Sequence, residues 1–352
     1  INYLFTGTTV RVASLTGAGE MELRDRDRPE PGPNDVVLGV GACGVCATDL
    51  HMFRGAFAVD FPVVLGHESA GTISEVGKNV DRLVSGDRVS VNPVVPCYTC
   101  SHCKRGETNL CRNVASIGGA GDRILDRSFA EYVRVPASNV EQIGDLSFRH
   151  AALAEPLACC IHAADRSGVG QADSVALIGA GSIGLLMLQT LRGRGASPIA
   201  VSEPDAGRRE LAKEMGADLV VDPEAGDPVE RIKDEVGEVD AGIEVVGLVP
   251  TIQQAYDVTA TGGTTLIVGV PEQDATMEIN PFEIYYNDLD IRGTFALTHE
   301  TFERAVTLLR NGRIDAESLV TEEIGLGGIP SAFEQMESND GLKKVVVPNS
   351  DD

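Results

Sequence analysis

Four cysteines fall within fifteen residues of the sequence, in the stretch CYTCSHCKRGETNLC. They are half of the chain's cysteines and stand at Cys97, Cys100, Cys103 and Cys111. The CxxCxxC spacing suits thiolates that converge on one tetrahedral zinc ion, whereas two disulfides within so tight a turn would be strained. Four thiolates also fill the coordination sphere of zinc and leave no position for a substrate. The cluster therefore predicts a structural zinc site, and catalysis must lie elsewhere in the chain.

A glycine motif, LIGAGSIG, predicts a dinucleotide site. It has the GxGxxG pattern, with Gly179, Gly181 and Gly184. The motif follows an apolar strand and opens a helix, and the acid Glu203 ends the next strand about twenty residues on. The first glycine permits a tight turn, the second lets the backbone approach a pyrophosphate, and the third lets helix and strand pack closely. The helix N-terminus then faces the phosphate charge.

Glu203 also bears on the choice of cofactor. Its carboxylate can accept hydrogen bonds from both ribose hydroxyls and would repel a 2′-phosphate, so NAD is favoured over NADP. Arg208 and Arg209 are close enough in the sequence to weaken this preference. The expected cofactor-binding residues are Gly179, Gly181, Ser182, Ile183, Gly184, Glu203, Arg208 and Val270.

The segments that must position these motifs predict two kinds of domain. Residues 1 to about 155 are rich in short β-branched runs separated by glycine and proline, a pattern typical of strands and turns. From Ala172 onward strands alternate with helices, including helices near 227–236 and 250–259, which predicts a doubly wound parallel sheet. A chain of 352 residues also favours two domains, because one core rarely grows past about 250–300 residues.

The composition is strongly acidic, with 53 Asp and Glu against 29 Lys and Arg and a formal net charge of −24. This charge argues against nucleic acid and anionic membrane surfaces as partners. Only 6 of the 29 bases are lysines, a balance that resembles haloarchaeal proteins, so we expect stability to rise with salt.

Two features bear on membranes and location. The uncharged stretch of residues 174–191 is near the lower length limit for a membrane span, but its three glycines favour a buried strand and helix. No basic leader precedes an apolar block at the start of the sequence, so we expect no signal peptide and a cytoplasmic protein.

Three further stretches carry metal-binding residue types: GVCATDLH (44–51), LGHESAG (65–71) and AEPLACCIHA (154–163). GDRV at 86–89, the four cysteines and the glycine motif accompany them, and all stand in the order of one known family. With these motifs the chain resembles the zinc-dependent medium-chain alcohol and polyol dehydrogenases over nearly its whole length. The resemblance implies an α/β protein with a GroES-like β-rich catalytic domain of residues 1–156 and 293–352. A structural zinc lobe at about 93–114 belongs to that domain, and residues 157–292 form a Rossmann NAD-binding domain. It also implies a homodimer or homotetramer.

The same resemblance implies a second, catalytic zinc. Cys46 and His67 are its expected ligands, and Glu68 and Glu155 are expected to bind the ion or its water. One thiolate, one imidazole and one or two carboxylates leave zinc an open position for an alcohol.

Other residues near this site are expected to move protons or to support the ligands. The resemblance gives Thr48 a hydrogen bond to the alcohol oxygen and His51 a role in passing the proton to solvent, and Asp49 is a plausible partner for His67. The cysteines and histidines in and near these stretches that have no such role are expected to be core or structural residues: Cys43, Cys159, Cys160, His150 and His162.

The implied activity is hydride transfer between a secondary alcohol, above all a polyol or sugar, and NAD. Sorbitol-dehydrogenase-like proteins place an arginine after the phenylalanine of the final strand, but here Ala296 follows Phe295. Threonine, butanediol, glucose and simple alcohols therefore remain open as substrates. The competing class is a non-enzymatic nucleotide-binding relative, which the intact metal-binding positions disfavour.

Overall fold

The computed structural model describes residues 9–57, 59–117, 123–125 and 127–350 of the chain. The chain divides into two compact units. Unit 1 comprises Ile1–Ala158 and Leu297–Asp352, and unit 2 comprises Cys159–Ala296. The predicted fold class is confirmed, because a β-rich part accompanies a doubly wound parallel sheet.

The strands are β1 (Thr9–Gly17), β2 (Glu20–Asp27), β3 (Asp35–Gly44), β4 (Val63–Val64), β5 (Glu68–Val76), β6 (Arg88–Val91), β7 (Val94–Val95), β8 (Ala115–Ile117), β9 (Arg123–Leu125), β10 (Tyr132–Pro136), β11 (Val140–Gln142), β12 (Val175–Ile178), β13 (Ile199–Ser202), β14 (Leu219–Val221), β15 (Val239–Glu244), β16 (Thr259–Ile267), β17 (Asp290–Gly293), β18 (Val320–Ile324) and β19 (Lys343–Val346). The helices are α1 (Ala47–Phe53), α2 (Ser101–Lys104), α3 (Phe148–Ala151), α4 (Ala154–Ser167), α5 (Ser182–Arg194), α6 (Ala206–Glu214), α7 (Pro228–Glu235), α8 (Val249–Val258), α9 (Pro281–Tyr286), α10 (His299–Arg310) and α11 (Ile329–Glu337).

The main sheet of unit 1 has the order β11-β6-β5-β3-β19-β18, and β10 also pairs with β3. Two smaller sheets, β2-β1-β4 and β7-β8-β9, accompany it. Apolar side chains from these strands and from α11 form one core, which includes Leu38, Ile73, Phe129 and Phe333. Within the main sheet, β3 pairs antiparallel with both β5 and β19. The end of β3 therefore lies beside the start of β5 and the last two residues of β19, shortly before α1.

Unit 2 contains a sheet with the order β14-β13-β12-β15-β16-β17, in which every pair is parallel. Strands β12 and β13 are buried along their whole length, as expected for a sheet covered by helices on both faces. In sequence order the six strands run 3-2-1-4-5-6, the doubly wound arrangement that binds dinucleotides where the strand order reverses. That point lies at the carboxyl ends of β12 and β15.

The uncharged stretch of residues 174–191 forms β12, the glycine turn and the first part of α5. This agrees with the expectation of a buried strand and helix. In the described part of the chain, no helix combines the length and the apolar character that crossing a bilayer requires.

Candidate metal centres and cofactor site

Cys46, His67 and Glu68 form a compact group in unit 1, and one donor atom from each lies within 4.8 Å of the others. Cys46 is the N-cap of α1, His67 directly precedes β5, and Glu68 is the first residue of β5. Gly44 of β3 stands opposite Glu68, and a Cβ at that position would lie 2.0 Å from Glu68 Oε2. A glycine at the end of β3 is therefore required for the carboxylate to enter the group.

Asp49 ties together the two segments that carry the thiol and the imidazole. Its fully buried carboxylate accepts hydrogen bonds from the backbone N–H of Cys46 at 3.0 Å and of Gly66 at 3.1 Å. The same carboxylate lies 3.5 Å from His67 Nδ1, an ion-pair distance without the alignment of a hydrogen bond. Asp49 thus fixes the start of α1 against the turn before β5 and places a negative charge beside His67.

The electrostatic environment of His67 favours a cation. Burial alone would lower the pKa of His67. The charges of Asp49 and Cys46 and the polar interactions of these two side chains with the imidazole outweigh burial and raise this pKa well above its usual value. A buried site that stabilises a proton on an imidazole also stabilises a metal cation at the same place. One sulfur, one imidazole and one carboxylate are a donor set that zinc prefers, so these residues fit the ion.

Lys343, which the sequence analysis did not single out, is the closest partner of Glu68. Its buried ammonium donates to Glu68 Oε1 at 2.7 Å, to Glu68 Oε2 at 2.8 Å and to the carbonyl oxygen of Val45 at 3.0 Å. Burial would lower the pKa of Lys343, but the charges of Glu68, Cys46 and Glu155 outweigh it and raise this pKa. Glu68 therefore belongs both to the metal-binding group and to a buried ion pair.

No local signal marked Lys343 as a site residue. It is the first residue of β19 and lies 275 positions from Glu68, so only the pairing of β19 with β3 brings them together. Two adjacent lysines followed by three valines are an ordinary pattern for a short strand. The unusual burial of the amine becomes visible only in the folded chain.

The other predicted catalytic residues lie outside this group of three. Glu155 is half-buried in the first turn of α4 and lies outside the group of three, but its charge acts on Lys343. Thr48 and His51 are both half-buried on α1 and three residues apart, which puts them on one face of the helix. The imidazole of His51 packs against Phe57, with ring centroids 5.1 Å apart.

The four sulfur atoms of the cysteine cluster lie within 4.8 Å of one another. All four cysteines are free thiols rather than disulfides. The backbone N–H groups of Cys97 and Asn113 donate to Cys111 Sγ, at 3.2 and 3.4 Å, and a hydrogen bond from Thr99 contributes most to lowering the pKa of Cys97 to about 5. Donors directed at sulfur stabilise thiolates, which are the form that binds zinc. The cluster thus fits a closed structural zinc site.

His102 lies among these cysteines in the sequence but takes no part in the sulfur group. Its Nδ1 lies 2.8 Å from Glu107 Oε2, and Arg105 binds the same carboxylate oxygen at 2.7 Å. Four sulfur atoms are available without it.

The glycine motif of unit 2 has the geometry of a phosphate-binding turn. Gly179 has a φ of 108°, and a Cβ on Gly184 would lie 2.2 Å from the carbonyl oxygen of Gly179. Gly181 is the N-cap of α5, and a Cβ built on it meets open space. Ser182 and Ile183 follow as the first, half-buried residues of the helix. Free space in front of backbone N–H groups at a helix N-terminus fits the pyrophosphate of a dinucleotide.

The acid after β13 is turned toward this glycine loop. Glu203 is 4 % exposed and accepts hydrogen bonds from the backbone N–H of Ala180 at 2.7 Å and of Asp205 at 3.1 Å. Arg209 binds the carbonyl oxygens of Glu203 and Pro204 and forms an ion pair with Asp222 at 2.9 Å.

The two remaining predicted cofactor residues lie further along unit 2. Arg208 is in the first turn of α6, where its backbone N–H donates to Asp205 Oδ1. Val270 is exposed and follows β16, with its backbone close to Gly247. Since Gly247 follows β15, Val270 lies at the same carboxyl edge of the sheet as the glycine motif.

Comparisons with known proteins agree with this arrangement. The family model described as the alcohol dehydrogenase GroES-like domain matches residues 32–145, and the model described as zinc-binding dehydrogenase matches residues 182–311. Sorbitol dehydrogenase of Bacillus subtilis (strain 168) is 35 % identical over 325 residues, which are 90 % of this chain and 91 % of the relative. L-idonate 5-dehydrogenase of Vitis vinifera is 32 % identical over 92 % of this chain and 90 % of its own length.

A solved structure is also similar. It is described as a zinc-binding dehydrogenase from Sinorhizobium meliloti 1021 bound to NADP, and it superposes with a TM-score of 0.90 at 38 % identity. The match covers 97 % of this chain and all of that one.

Proposed function

Because this chain belongs to the zinc-dependent alcohol dehydrogenases of the medium-chain dehydrogenase/reductase superfamily, we propose that it oxidises a secondary alcohol of a polyol or sugar with NAD. The observation that carries this proposal is the buried group of Cys46, His67 and Glu68, a donor set suited to zinc with an open position. Relatives named sorbitol, D-arabinitol and L-idonate dehydrogenases support a polyhydroxylated substrate.

Zinc would be held by Cys46 and His67, with Glu68 or Glu155 as a further ligand. Bound zinc supplies a Lewis acid for the hydroxyl oxygen, and bound nicotinamide supplies the hydride acceptor. Asp49 orients the imidazole of His67 and the backbone of Cys46. Lys343 holds the carboxylate of Glu68 in one place, since all three of its N–H donors are engaged.

Oxidation of an alcohol also releases a proton, which the residues of α1 are suited to move. The hydroxyl of Thr48 accepts the proton of the substrate hydroxyl and donates its own onward. His51, half-buried on the same face of α1, passes the proton to solvent through its imidazole nitrogens.

The environment of Glu203 supports NAD as the cofactor. A buried carboxylate at the glycine loop would repel a 2′-phosphate, and Arg209 is already engaged by Asp222 and two carbonyl oxygens. The similar structure from Sinorhizobium meliloti was bound to NADP, so the two cofactors have to be compared directly. Activity with NADP alone would contradict this assignment.

A substrate screen identifies which alcohol the protein oxidises. Ala296 stands where sorbitol-dehydrogenase-like proteins have an arginine that helps bind substrate hydroxyls, so threonine, butanediols, glucose and simple alcohols are the alternatives. The test is reduction of NAD and NADP, followed by absorbance, with polyols, aldoses, threonine and butanediols in high-salt buffer. We expect the highest kcat/KM with a polyol or sugar and NAD.

The metal assignment is tested by two matched variants. Cys46→Ala removes a proposed zinc ligand, and we expect it to abolish activity. Cys43→Ala removes a buried thiol three residues earlier that lies outside the metal-binding group, and we expect activity to be retained. Equal activity in the two variants would contradict the assignment.

We also propose that the protein is a homo-oligomer. Strand β17 pairs with β16 at the edge of the unit 2 sheet, and the nearby helix α9 exposes Phe282, Tyr285 and Tyr286. Sheet edges and exposed aromatic clusters are common association surfaces. We expect Tyr285→Glu to lower the mass measured by light scattering, whereas an unchanged mass would contradict the use of this surface.

A cytoplasmic location is supported by the cysteines. All eight cysteines lie in the described part of the chain and none of them forms a disulfide, as expected in a reducing compartment.

A further inference from the structure

Unit 1 contains a cavity of about 780 Å³ that the proposed catalysis does not use. Its wall includes apolar side chains from β4 and β9, among them Val64 and Leu125, and three arginines: Arg26, Arg127 and Arg134. The described lining residues include none of the proposed catalytic zinc ligands. The cavity is therefore a second candidate binding site, separate from the metal-binding group.

Arg127 is the unusual residue of this cavity. It is only 4 % exposed, and the one hydrogen bond that its Nη1 makes among the described residues goes to the sulfur of Met52, at 3.8 Å. Its Nε and Nη2 are buried and make no hydrogen bond within the described part of the chain. A thioether is a weak acceptor, so a buried guanidinium here has almost none of the hydrogen bonds that water would give it.

Asp49 attracts Arg127 but does not neutralise it. Asp49 exerts an attraction on the guanidinium, but its carboxylate is occupied by Cys46, Gly66 and His67. Burial lowers the pKa of Arg127 to about 10, so the side chain is still charged at neutral pH. A buried charge without a counter-charge is costly, and a bound anion would remove this cost.

The free N–H groups of Arg127 indicate the chemistry of the anion. Nε and Nη2 form one edge of the guanidinium, and two parallel N–H donors on one edge match the two oxygens of a carboxylate or phosphate. Arg26 and Arg134 add positive charge to the wall of a protein whose net charge is −24. Asp35, 3.8 Å from Arg134, and Asp60 also line the cavity, which disfavours highly charged anions.

We propose that this cavity binds a small organic or inorganic anion through a carboxylate or phosphate group, with Arg127 as the residue that recognises it. The site is distinct from the glycine loop of unit 2, where a dinucleotide phosphate is expected. It is also independent of the proposed alcohol substrate, so failure of either proposal leaves the other standing.

The test uses the zinc-loaded protein at a fixed high KCl concentration with excess NAD, which blocks the phosphate-binding turn of unit 2. Sodium phosphate and sodium malonate are titrated separately, and binding is followed by calorimetry and by the melting temperature. We expect at least one probe to bind saturably and to raise the melting temperature by about 2–4 °C. Phosphate alone or malonate alone would support the site and define its preferred anion.

Variants separate this site from general salt effects, since phosphate stabilises most proteins by exclusion from their surface. Arg127→Met replaces the guanidinium with a neutral side chain, and we expect the calorimetric signal and the saturable temperature rise to disappear. Arg127→Lys keeps the charge without the paired donors and should bind at least tenfold more weakly. Arg24→Met, which removes an exposed arginine paired with Glu22, should bind like the wild type.

Two results would overturn the proposal. One is the absence of saturable binding of either probe to the wild type. The other is equal binding to the wild type and to Arg127→Met, with zinc content and far-UV circular dichroism showing that the variant is folded.

Discussion

At the residue scale, the pair of Lys343 and Glu68 changes how the proposed catalytic zinc site is understood. Both side chains are buried, and the ammonium reaches both carboxylate oxygens. A carboxylate held in this way carries less negative charge toward a metal than a free one. We therefore propose Cys46 and His67 as the principal ligands, with Glu68, whose carboxylate Lys343 holds in place, as a weaker third ligand.

Removing one partner of this pair should be strongly destabilising. Lys343→Met leaves the carboxylate of Glu68 buried without a counter-charge, so we expect the free energy of unfolding to fall by about 3–5 kcal/mol. Adding Glu68→Leu should restore much of the loss, because an apolar pair replaces the ion pair. Urea unfolding measures both effects on protein whose Cys46, His67 and Glu68 group is free of zinc, because a bound ion would be a second counter-charge for Glu68.

The neighbouring lysine provides the control. Lys344 is also buried, but its acidic partner Glu322 lies 3.6 Å away, and the side chain of Glu322 is 40 % exposed. Lys344→Met should therefore lower the free energy of unfolding much less. Because the pKa of Lys343 is raised, the ion pair is fully formed below the usual lysine range and weakens only at higher pH. The loss in Lys343→Met should thus be constant from about pH 6 to pH 9. An equal loss in both variants would contradict the special role of this pair.

The position of Asp49 beside His67 predicts that zinc affinity depends on pH. Since the pKa of His67 is raised well above its usual value, a proton competes with zinc for this imidazole above the ordinary histidine range. The apparent zinc affinity should rise with pH from about 6.5 to 8. In Asp49→Asn, which removes the neighbouring charge, the slope of log Kd against pH should be smaller by about one proton, and the affinity itself about 10–100-fold lower.

Competition with a zinc-binding dye measures both quantities for Asp49→Asn. Asp60→Asn serves as the control, because Asp60 is exposed and outside the metal-binding group. Identical slopes in the wild type and in Asp49→Asn would show that Asp49 does not set the protonation of His67.

Much of the site could be predicted at this scale because the relevant residues stand in short motifs. The four cysteines and the pair of Cys46 and His67 are recognisable from residues that lie within a few positions of them. Lys343 and Arg127 could not be predicted, since a buried lysine or arginine is defined by what surrounds it in the folded chain. Nothing in the sequence near either residue marks it as buried.

At the element scale, periodicity predicted the helices of unit 2 well. The helices expected near residues 227–236 and 250–259 are α7 (Pro228–Glu235) and α8 (Val249–Val258). Both begin with proline in the first turn, a recognisable start signal. The arrangement of β3, β5 and β19 could not be derived in this way, because the order of strands in a sheet depends on contacts between distant segments.

The contact between β12 and α5 gives a prediction at this scale. A Cβ on Gly184 would lie 2.2 Å from the carbonyl oxygen of Gly179, so Gly184→Ala should push the helix away from the strand. We expect weaker NADH binding, by about tenfold or more, and a lower melting temperature. Fluorescence titration and calorimetry measure the two effects.

Gly193→Ala is the matched control in the same helix. A Cβ at this position meets open space, and alanine is favoured over glycine in a helix by about 1 kcal/mol. This variant should bind NADH normally and be slightly more stable. If Gly184→Ala behaved like Gly193→Ala, close packing at the glycine motif would not be the basis of cofactor binding.

At the scale of the whole molecule, the net charge of −24 is expected to make stability depend on the salt concentration. Mutual repulsion among carboxylates opposes the compact state, and salt screens this repulsion over about 3 Å at 1 M compared with about 10 Å at 0.1 M. We expect the melting temperature to rise steadily with KCl, and to rise less with an equally concentrated neutral osmolyte. A melting temperature that is constant or falls with KCl would contradict salt adaptation.

The central claim is that each chain has two different zinc sites, one closed by four thiolates and one open to substrate. The most direct test is the zinc content of purified, fully loaded protein by elemental mass spectrometry. We predict two zinc ions per chain in the wild type and in Cys43→Ala, one for each group of ligands, and a single zinc ion in Cys46→Ala. One zinc ion per wild-type chain, or two in Cys46→Ala, would contradict the claim.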